Sequence, residues 1–131
     1  MVNVVSVAVE YESELAPNVL AIINLNDAVV IDGFDIYYLA FRLFKKKIDS
    51  GETTNVIQIG FYEEYADIDN FADKKLYSFE INDLPPAYLL NFVVSAGLNN
   101  ESPENFKAIK DILNEINEQK CWTQMVELYN R

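Results

Sequence analysis

The chain of 131 residues carries a formal charge of −11, half of its residues are hydrophobic, and 13% are aromatic. This composition suits one packed domain over residues 1–131 and excludes an intrinsically disordered chain. Histidine is absent and cysteine occurs once, which excludes Ser–His and Cys–His nucleophilic pairs, histidine metal ligands and internal Cys-x-x-Cys sites.

The N-terminal part of the chain is rich in valine and isoleucine, which favour β-strands. From Val4 onward the residues alternate between two faces, with Val5, Val7 and Val9 on the same one. The predicted strands are residues 2–12, 19–25 and 28–31, with turns at residues 13–18 and Asn26–Asp27 and a turn or a bulge at Asp32–Gly33.

The segment Phe34–Lys47 is apolar at almost every position before its lysines, so its periodicity fits a strand or a helix. A helix would place Lys45–Lys47 near its C-terminus, where positive charge is favourable, with Gly51 just beyond. A strand would lead through the turn at Asp49–Gly51 into residues 53–62, which clearly predict another strand. We favour the strand.

The second half of the chain predicts one more strand and then helices. Ser102 as N-cap and Pro103 as the first helical residue form a strong helix start, and apolar residues follow at helical spacing. That helix either ends near Gln119 or continues to Leu128. The other predicted features are a strand at residues 74–81, a stop at Pro85–Pro86, and a short apolar helix at residues 86–100 with Gly97 as C-cap. The fold class is α+β: an antiparallel sheet from the N-terminal half, packed by C-terminal helices.

An acidic stretch, residues 63–73 (EEYADIDNFAD), contains five carboxylates and no base. A calcium-binding EF-hand loop starting at Asp67 would need oxygen ligands or glycine where Phe71, Ala72 and Ser78 stand. The metal-loop interpretation therefore fails, and we expect neither a metal nor a cofactor.

Aromatic residues alternate with these acids, so the stretch is either a docking surface for a basic partner or a solvated loop whose aromatics point inward. Aromatic side chains supply rigid contact area, and carboxylates steer a basic protein into contact. The candidate partner-binding residues are Tyr62, Glu63, Glu64, Tyr65, Asp67 and Asp69.

The charge of −11 disfavours binding to ordinary duplex DNA and favours a basic protein partner. The catalytic groups that the chain has in good supply are carboxylates. Because there are 21 of them, a pair of neighbouring carboxylates is weak evidence for an active site. We predict that the protein is not an enzyme. No signal pattern and no long apolar run occurs, so we expect a cytoplasmic protein without a membrane association. The leading hypothesis is a small acidic binding module, an inhibitor or antagonist of the immunity or phage anti-defence type.

Ile23–Ile36 (INLNDAVVIDGFDI) and the following LAFRLFKKKIDSGE resemble the SpoVG family, small bacterial regulators that bind nucleic acid. The resemblance covers residues 1–62 and implies a strand at Phe34–Lys47, contact with nucleic acid through Lys45, Lys46 and Lys47, and a homodimer formed through sheet edges. The family's proline after this strand and its basic N-terminal strand are absent. A further alternative is an assembly subunit, with apolar residues on both faces of Phe34–Phe44 as its contact surface.

Overall fold

A computed structural model of the chain describes residues 4–9, 19–81, 89–118, 122, 123 and 127. Five strands form one antiparallel sheet in which each strand pairs with the next in sequence. The strands are β1 (Val4–Val9), β2 (Val19–Ile31), β3 (Phe34–Lys47), β4 (Thr53–Tyr62) and β5 (Lys75–Ile81). The helices are α1 (Ala66–Asp69), α2 (Leu89–Ser95) and α3 (Pro103–Glu118), with a 3₁₀ turn at Leu98–Asn100. The α+β prediction is confirmed.

The segment Phe34–Lys47 is a strand, and the helical alternative for it is wrong. β3 pairs with β4 in unbroken register, from Tyr38 opposite Tyr62 to Lys47 opposite Thr53. Its central residues are buried on both faces of the sheet, because helices cover one face and the acidic stretch covers the other. A strand covered on both faces has a nearly continuous apolar sequence, which explains why periodicity alone did not decide.

The prediction of a turn at Asn26–Asp27 is wrong, because β2 is one continuous strand through this position. Its pairing with β3 shifts register between Asn24 and Val29, and Asn26 and Asp27 are exposed there. A bulge absorbs extra residues in one strand without reversing the chain. The chain reverses instead at Asp32 and Gly33, which both have positive φ.

Helix α3 packs its apolar side against one face of the sheet. Its start is as predicted, since Asn105 N–H donates to Ser102 Oγ at 3.2 Å and caps the first turn. The buried residues of this layer include Ile109, Ile112, Leu113 and Ile116 of α3 and Ile23, Leu39, Phe41, Ile57, Ile59 and Phe61 of the sheet. The short apolar helix is confirmed at Leu89–Ser95, and Gly97 follows it at φ 123°.

The described ranges leave some predictions without an outcome. The ends of the first strand, the turn at residues 13–18, the stop at Pro85–Pro86 and residues 119–121 lie outside the described residues. Trp122 and Thr123 are helical, and Trp122 is fully buried in the core. No helix among the described residues is long and apolar enough to cross a membrane.

A polar cluster attaches the start of α3 to the sheet. Lys75 Nζ lies 2.9 Å from Asp32 Oδ2 and 2.6 Å from Glu101 Oε1. The hydroxyl of Tyr77 donates to Glu101 at 2.8 Å, and Asn105 Nδ2 donates to Asp32. The cluster therefore joins the β2–β3 turn, β5 and the N-terminus of α3, three parts of the chain that are distant in sequence.

Candidate functional site

The acidic stretch is folded back on itself and forms a compact turn around α1. Asp67 Oδ2 accepts a hydrogen bond from the backbone N–H of Glu64 at 3.2 Å, and the backbone N–H of Asp67 donates to Glu64 O at 3.1 Å. Further along, Ala72 N–H donates to Asp67 O at 3.0 Å, and Lys74 N–H donates to Phe61 O at 2.8 Å. The carboxylate of Asp67 thus stabilises the turn, as Asp side chains do when they bind nearby backbone donors.

This turn lies on the face of the sheet opposite α3. Ile68 is fully buried against Ile22, Ala40 and Tyr62 in a second, smaller apolar cluster, which Val19 completes. Burial of Ile68 fixes α1 to the sheet, since removing a large aliphatic side chain from water is favourable. The acidic stretch is therefore held in place by its one isoleucine.

Arg42, from the middle of β3, lies beneath this turn and is only 3% exposed. Its Nη2 donates to Ile68 O at 2.7 Å and to the hydroxyl of Tyr62 at 3.1 Å. The ring of Phe71 covers the guanidinium, with its centroid 4.3 Å from Cζ, which is cation–π geometry. Arg42 therefore connects the sheet, the α1 backbone and an aromatic residue of the acidic stretch.

Tyr62, predicted as a partner contact, is fully buried and has no surface to offer a partner. As the last residue of β4 it points to the face that α1 covers, and its ring lies over Gly60. Burial raises the pKa of Tyr62, although the hydrogen bond from Arg42 acts in the opposite direction. The neutral hydroxyl can accept the hydrogen bond of Arg42 throughout the physiological range. Tyr62 supports the turn and does not form its surface.

The other predicted contacts lie together on the turn but differ in exposure. Glu64 and Tyr65 are exposed, and Tyr65 is 49% exposed. Glu63 is half-buried and pairs with Lys74 at 3.5 Å. Asp67 and Asp69 are also half-buried, and Asp67 is engaged in the turn described above. Glu64 and Tyr65 are consequently the two that a partner reaches most easily.

The structure adds residues that the sequence-based prediction of the site omitted. Phe71 is 57% exposed with φ at 55°, a backbone conformation that bulky residues rarely adopt. Tyr38, from β3, meets Tyr65 edge to face with ring centroids 5.7 Å apart. Arg42 had one visible signal in the sequence, because it is a single charge inside the apolar run of β3. The full surface, which we call the acidic–aromatic surface, comprises Tyr38, Glu63, Glu64, Tyr65, Asp67, Asp69 and Phe71.

The lysines proposed for nucleic-acid contact do not form one patch. Lys45, Lys46 and Lys47 are exposed at the end of β3, but successive residues of a strand point to opposite faces. Lys46 reaches across the sheet to Glu80 at 3.6 Å, on the face that carries the acidic–aromatic surface. Lys45 and Lys47 therefore belong to the other face.

The apolar residues of β3 that predicted an assembly surface are mostly buried within the chain. Ile36, Leu39, Ala40 and Phe41 are fully buried, whereas Phe34 and Tyr37 are 38% and 40% exposed. Internal packing on both faces of the sheet accounts for the apolar pattern that motivated this alternative.

Two carboxylates among the described residues, Asp32 and Glu101, have a clear pKa shift. Burial acts to raise the pKa of Glu101, but hydrogen bonds from its partners lower it, and hydrogen bonds also lower the pKa of Asp32. A shallow groove of about 410 Å³ beside β4 and β5 includes one acid, Glu80. No group of three potential metal ligands lies together in the part of the chain that the structure describes.

Fold and site together define a small α+β protein with an acidic–aromatic surface fixed to its sheet. No family model matches the chain, and neither a curated protein nor a solved structure matches it. The functional assignment therefore depends on the chemistry of this surface.

Proposed function

We propose that this chain is a small, non-enzymatic binding protein that docks on a basic protein through the acidic–aromatic surface. It would act as an inhibitor or antagonist of the immunity or phage anti-defence type, by occupying a surface that otherwise binds nucleic acid. The observation that supports this most is the exposure of Tyr65 and Phe71, at 49% and 57%, on a turn that buried Ile68 and Arg42 hold to the sheet.

The energetic reason lies in preorganisation. Exposed aromatic side chains are strong anchors when they bury in a partner, and an already ordered turn loses little conformational entropy on binding. The surrounding carboxylates add long-range attraction to a basic partner and raise the rate of encounter. A solvated loop would not need Phe71 exposed in a rare backbone conformation.

The test is capture of partners from a lysate of the native host at low and high salt, with the wild-type chain and three variants. Glu64→Lys reverses the charge of an exposed acid that contributes to the turn through its backbone, while its side chain forms no hydrogen bond or ion pair among the described residues. Phe71→Ala removes an anchor, and Glu118→Lys makes the same charge change on an exposed residue of α3, away from the surface. Glu63 and Asp67 are less suitable, because Glu63 pairs with Lys74 and Asp67 stabilises the turn.

The proposal expects a basic protein that is retained at low salt, reduced at high salt, and lost with Glu64→Lys and Phe71→Ala but kept with Glu118→Lys. Equal capture by all four proteins would contradict the assignment of the surface.

A SpoVG-like regulator, dimeric through its sheet edges, remains a second proposal. It is favoured by the strand at Phe34–Lys47 and by the exposure of Lys45, Lys46 and Lys47 at the end of this strand. A gel shift with nucleic acid that disappears when these three lysines are changed to alanine would support it. Retention of basic protein without nucleic acid would favour the first proposal.

A further inference from the structure

We infer that the guanidinium of Arg42 is an anchoring site for a carboxylate of the docking partner, reached when the side chain of Phe71 turns away from it. The site lies beneath Phe71 of the acidic–aromatic surface, so the identification of a docking partner as the source of this carboxylate rests on the proposed function. The chemistry of the site itself does not, because it follows from the contacts of Arg42.

The first step is the incomplete coordination of a buried charge. Arg42 is 3% exposed, and its hydrogen bonds go from Nη2 to two neutral acceptors, Ile68 O and the Tyr62 hydroxyl. Nη1 is buried and has no hydrogen-bond partner among the described residues, and none of the ion pairs formed there includes Arg42. Buried guanidinium groups normally bind a carboxylate, because an unpaired donor and an unpaired charge are both unfavourable away from water.

The second step concerns access. The ring of Phe71 covers one face of the guanidinium at 4.3 Å but is itself more than half exposed. Rotation of this side chain into solvent would cost the cation–π contact and little buried area.

The third step selects the ligand class. Nη1, which has no partner among the described residues, is a cationic N–H donor that suits an oxygen of a carboxylate or of a phosphate. The acidic stretch folds over Arg42, so a dianionic phosphate or a polyanionic nucleic acid is repelled more strongly than a single carboxylate. An acidic surface with one positive charge beneath it therefore fits a basic partner surface that presents one Asp or Glu side chain, and this pattern would add specificity.

The experiment uses acetate as the probe and needs no partner protein. Acetate is titrated into the ¹⁵N-labelled chain at constant ionic strength, with chloride and with inorganic phosphate as comparison anions, and the guanidinium NMR signals of Arg42 are followed. The proposal expects a saturable shift with acetate and a linear or absent response with chloride. If phosphate binds with higher affinity than acetate, the carboxylate assignment is wrong. If all three anions shift the Arg42 signals equally, the site itself is wrong.

Two phenylalanine variants test the covering role of Phe71. Phe71→Ala should tighten acetate binding by about two- to fivefold, the equivalent of one cation–π contact. Phe34→Ala is the matched control, because Phe34 is also an exposed phenylalanine stacked on a cation, Lys74 at 4.9 Å, away from Arg42. It should leave the acetate affinity unchanged. An unchanged affinity in Phe71→Ala would contradict the covering role.

One of the chain's own carboxylates is a competitor for this site. Asp73 is close enough to Tyr62, whose hydroxyl accepts a hydrogen bond from Arg42, for its negative charge to act to raise the pKa of Tyr62. If acetate leaves the Arg42 signals of the wild type unchanged but shifts them in Asp73→Asn, the carboxylate comes from the chain itself and the partner site is wrong. The two proposals are tested separately. A failed acetate titration would contradict the anion site but not the docking proposal. Equal lysate capture by all variants would contradict the docking surface but not the anion site.

Discussion

Arg42 Nη2 donates a 2.7 Å hydrogen bond to the main-chain carbonyl of Ile68, which joins the middle of β3 to the acidic stretch 26 residues further along the chain. The same nitrogen also donates to the Tyr62 hydroxyl on the neighbouring strand. The position of the exposed acids and aromatics therefore depends on Arg42, which is buried inside the protein.

Tyr62→Phe should lower the free energy of unfolding by about 1–2 kcal/mol, because it removes a buried acceptor of Arg42. Chemical denaturation measures this change. Tyr37→Phe serves as the control, since Tyr37 is 40% exposed and the same deletion there should change stability by less than about 0.5 kcal/mol. Equal effects at the two positions would show that the Arg42–Tyr62 bond contributes nothing specific.

Gly60→Ala should be destabilising by about 1–3 kcal/mol, because the added Cβ would lie 2.7 Å from Tyr62 Cζ. The ring of Tyr62 is fully buried and has little room to move. The measurement is a double-mutant cycle with Tyr62→Leu, in which the cost of Gly60→Ala should fall when the ring is absent. A cost that is the same in both backgrounds would mean that the clash with Tyr62 is not the cause.

The polar cluster at the start of α3 should make stability depend on pH in the acid range. Hydrogen bonds from Lys75 and Asn105 lower the pKa of Asp32, and those from Lys75, Tyr77 and Asn105 lower the pKa of Glu101 despite its burial. The cluster therefore stabilises the fold above the ordinary pKa values of 3.8 and 4.5, and this contribution is lost as pH falls through the lowered values.

Glu101→Gln and Asp32→Asn are the variants that measure this contribution. Denaturation from about pH 7 to about pH 3 should show each variant less stable than the wild type at neutral pH, with the difference shrinking towards the acid end. Asn suits position 32, where φ is 54°, because it tolerates positive φ and changes the charge with little effect on the turn. A difference that stays constant with pH would contradict the role of these ionised carboxylates.

Binding kinetics should separate the steering acids from the aromatic anchors once a partner is captured. Glu64→Lys is expected to lower the association rate, most strongly at low salt, because Glu64 acts through long-range attraction. Phe71→Ala is expected mainly to raise the dissociation rate, since a buried aromatic contact acts after encounter. Surface-based kinetics at two salt concentrations measure both rates, and the opposite assignment of the two effects would contradict the proposed roles.

Much of the fold was predictable because local patterns determine it. The valine-rich alternation, the turn residues before β3 and β4, and the Ser102–Pro103 helix start each act within a few residues, and the structure confirms them. The turn at Asn26–Asp27 failed for the same reason: a polar pair inside a long strand resembles a turn, and only pairing with β3 shows that the strand continues through an irregularity.

The sequence identified the acidic stretch, and the structure places Glu64 and Tyr65 of this stretch at the surface, while docking there stays a prediction. Tyr62 was misplaced, because nothing in the sequence tells which face the last residue of β4 points to, or that α1 covers this face. The contact of Phe71 with Arg42 was not predictable from the sequence, because it depends on two segments that are brought together only by folding.

The sequence by itself determined the composition, the excess of negative charge and most of the strands and helices, because these depend on residue types and short-range preferences. Tertiary structure decided which acids and aromatics reach the surface and gave Arg42 its position beneath them. Burial and pairing between distant segments depend on how both faces of the sheet are covered, and that is a property of the whole packed chain.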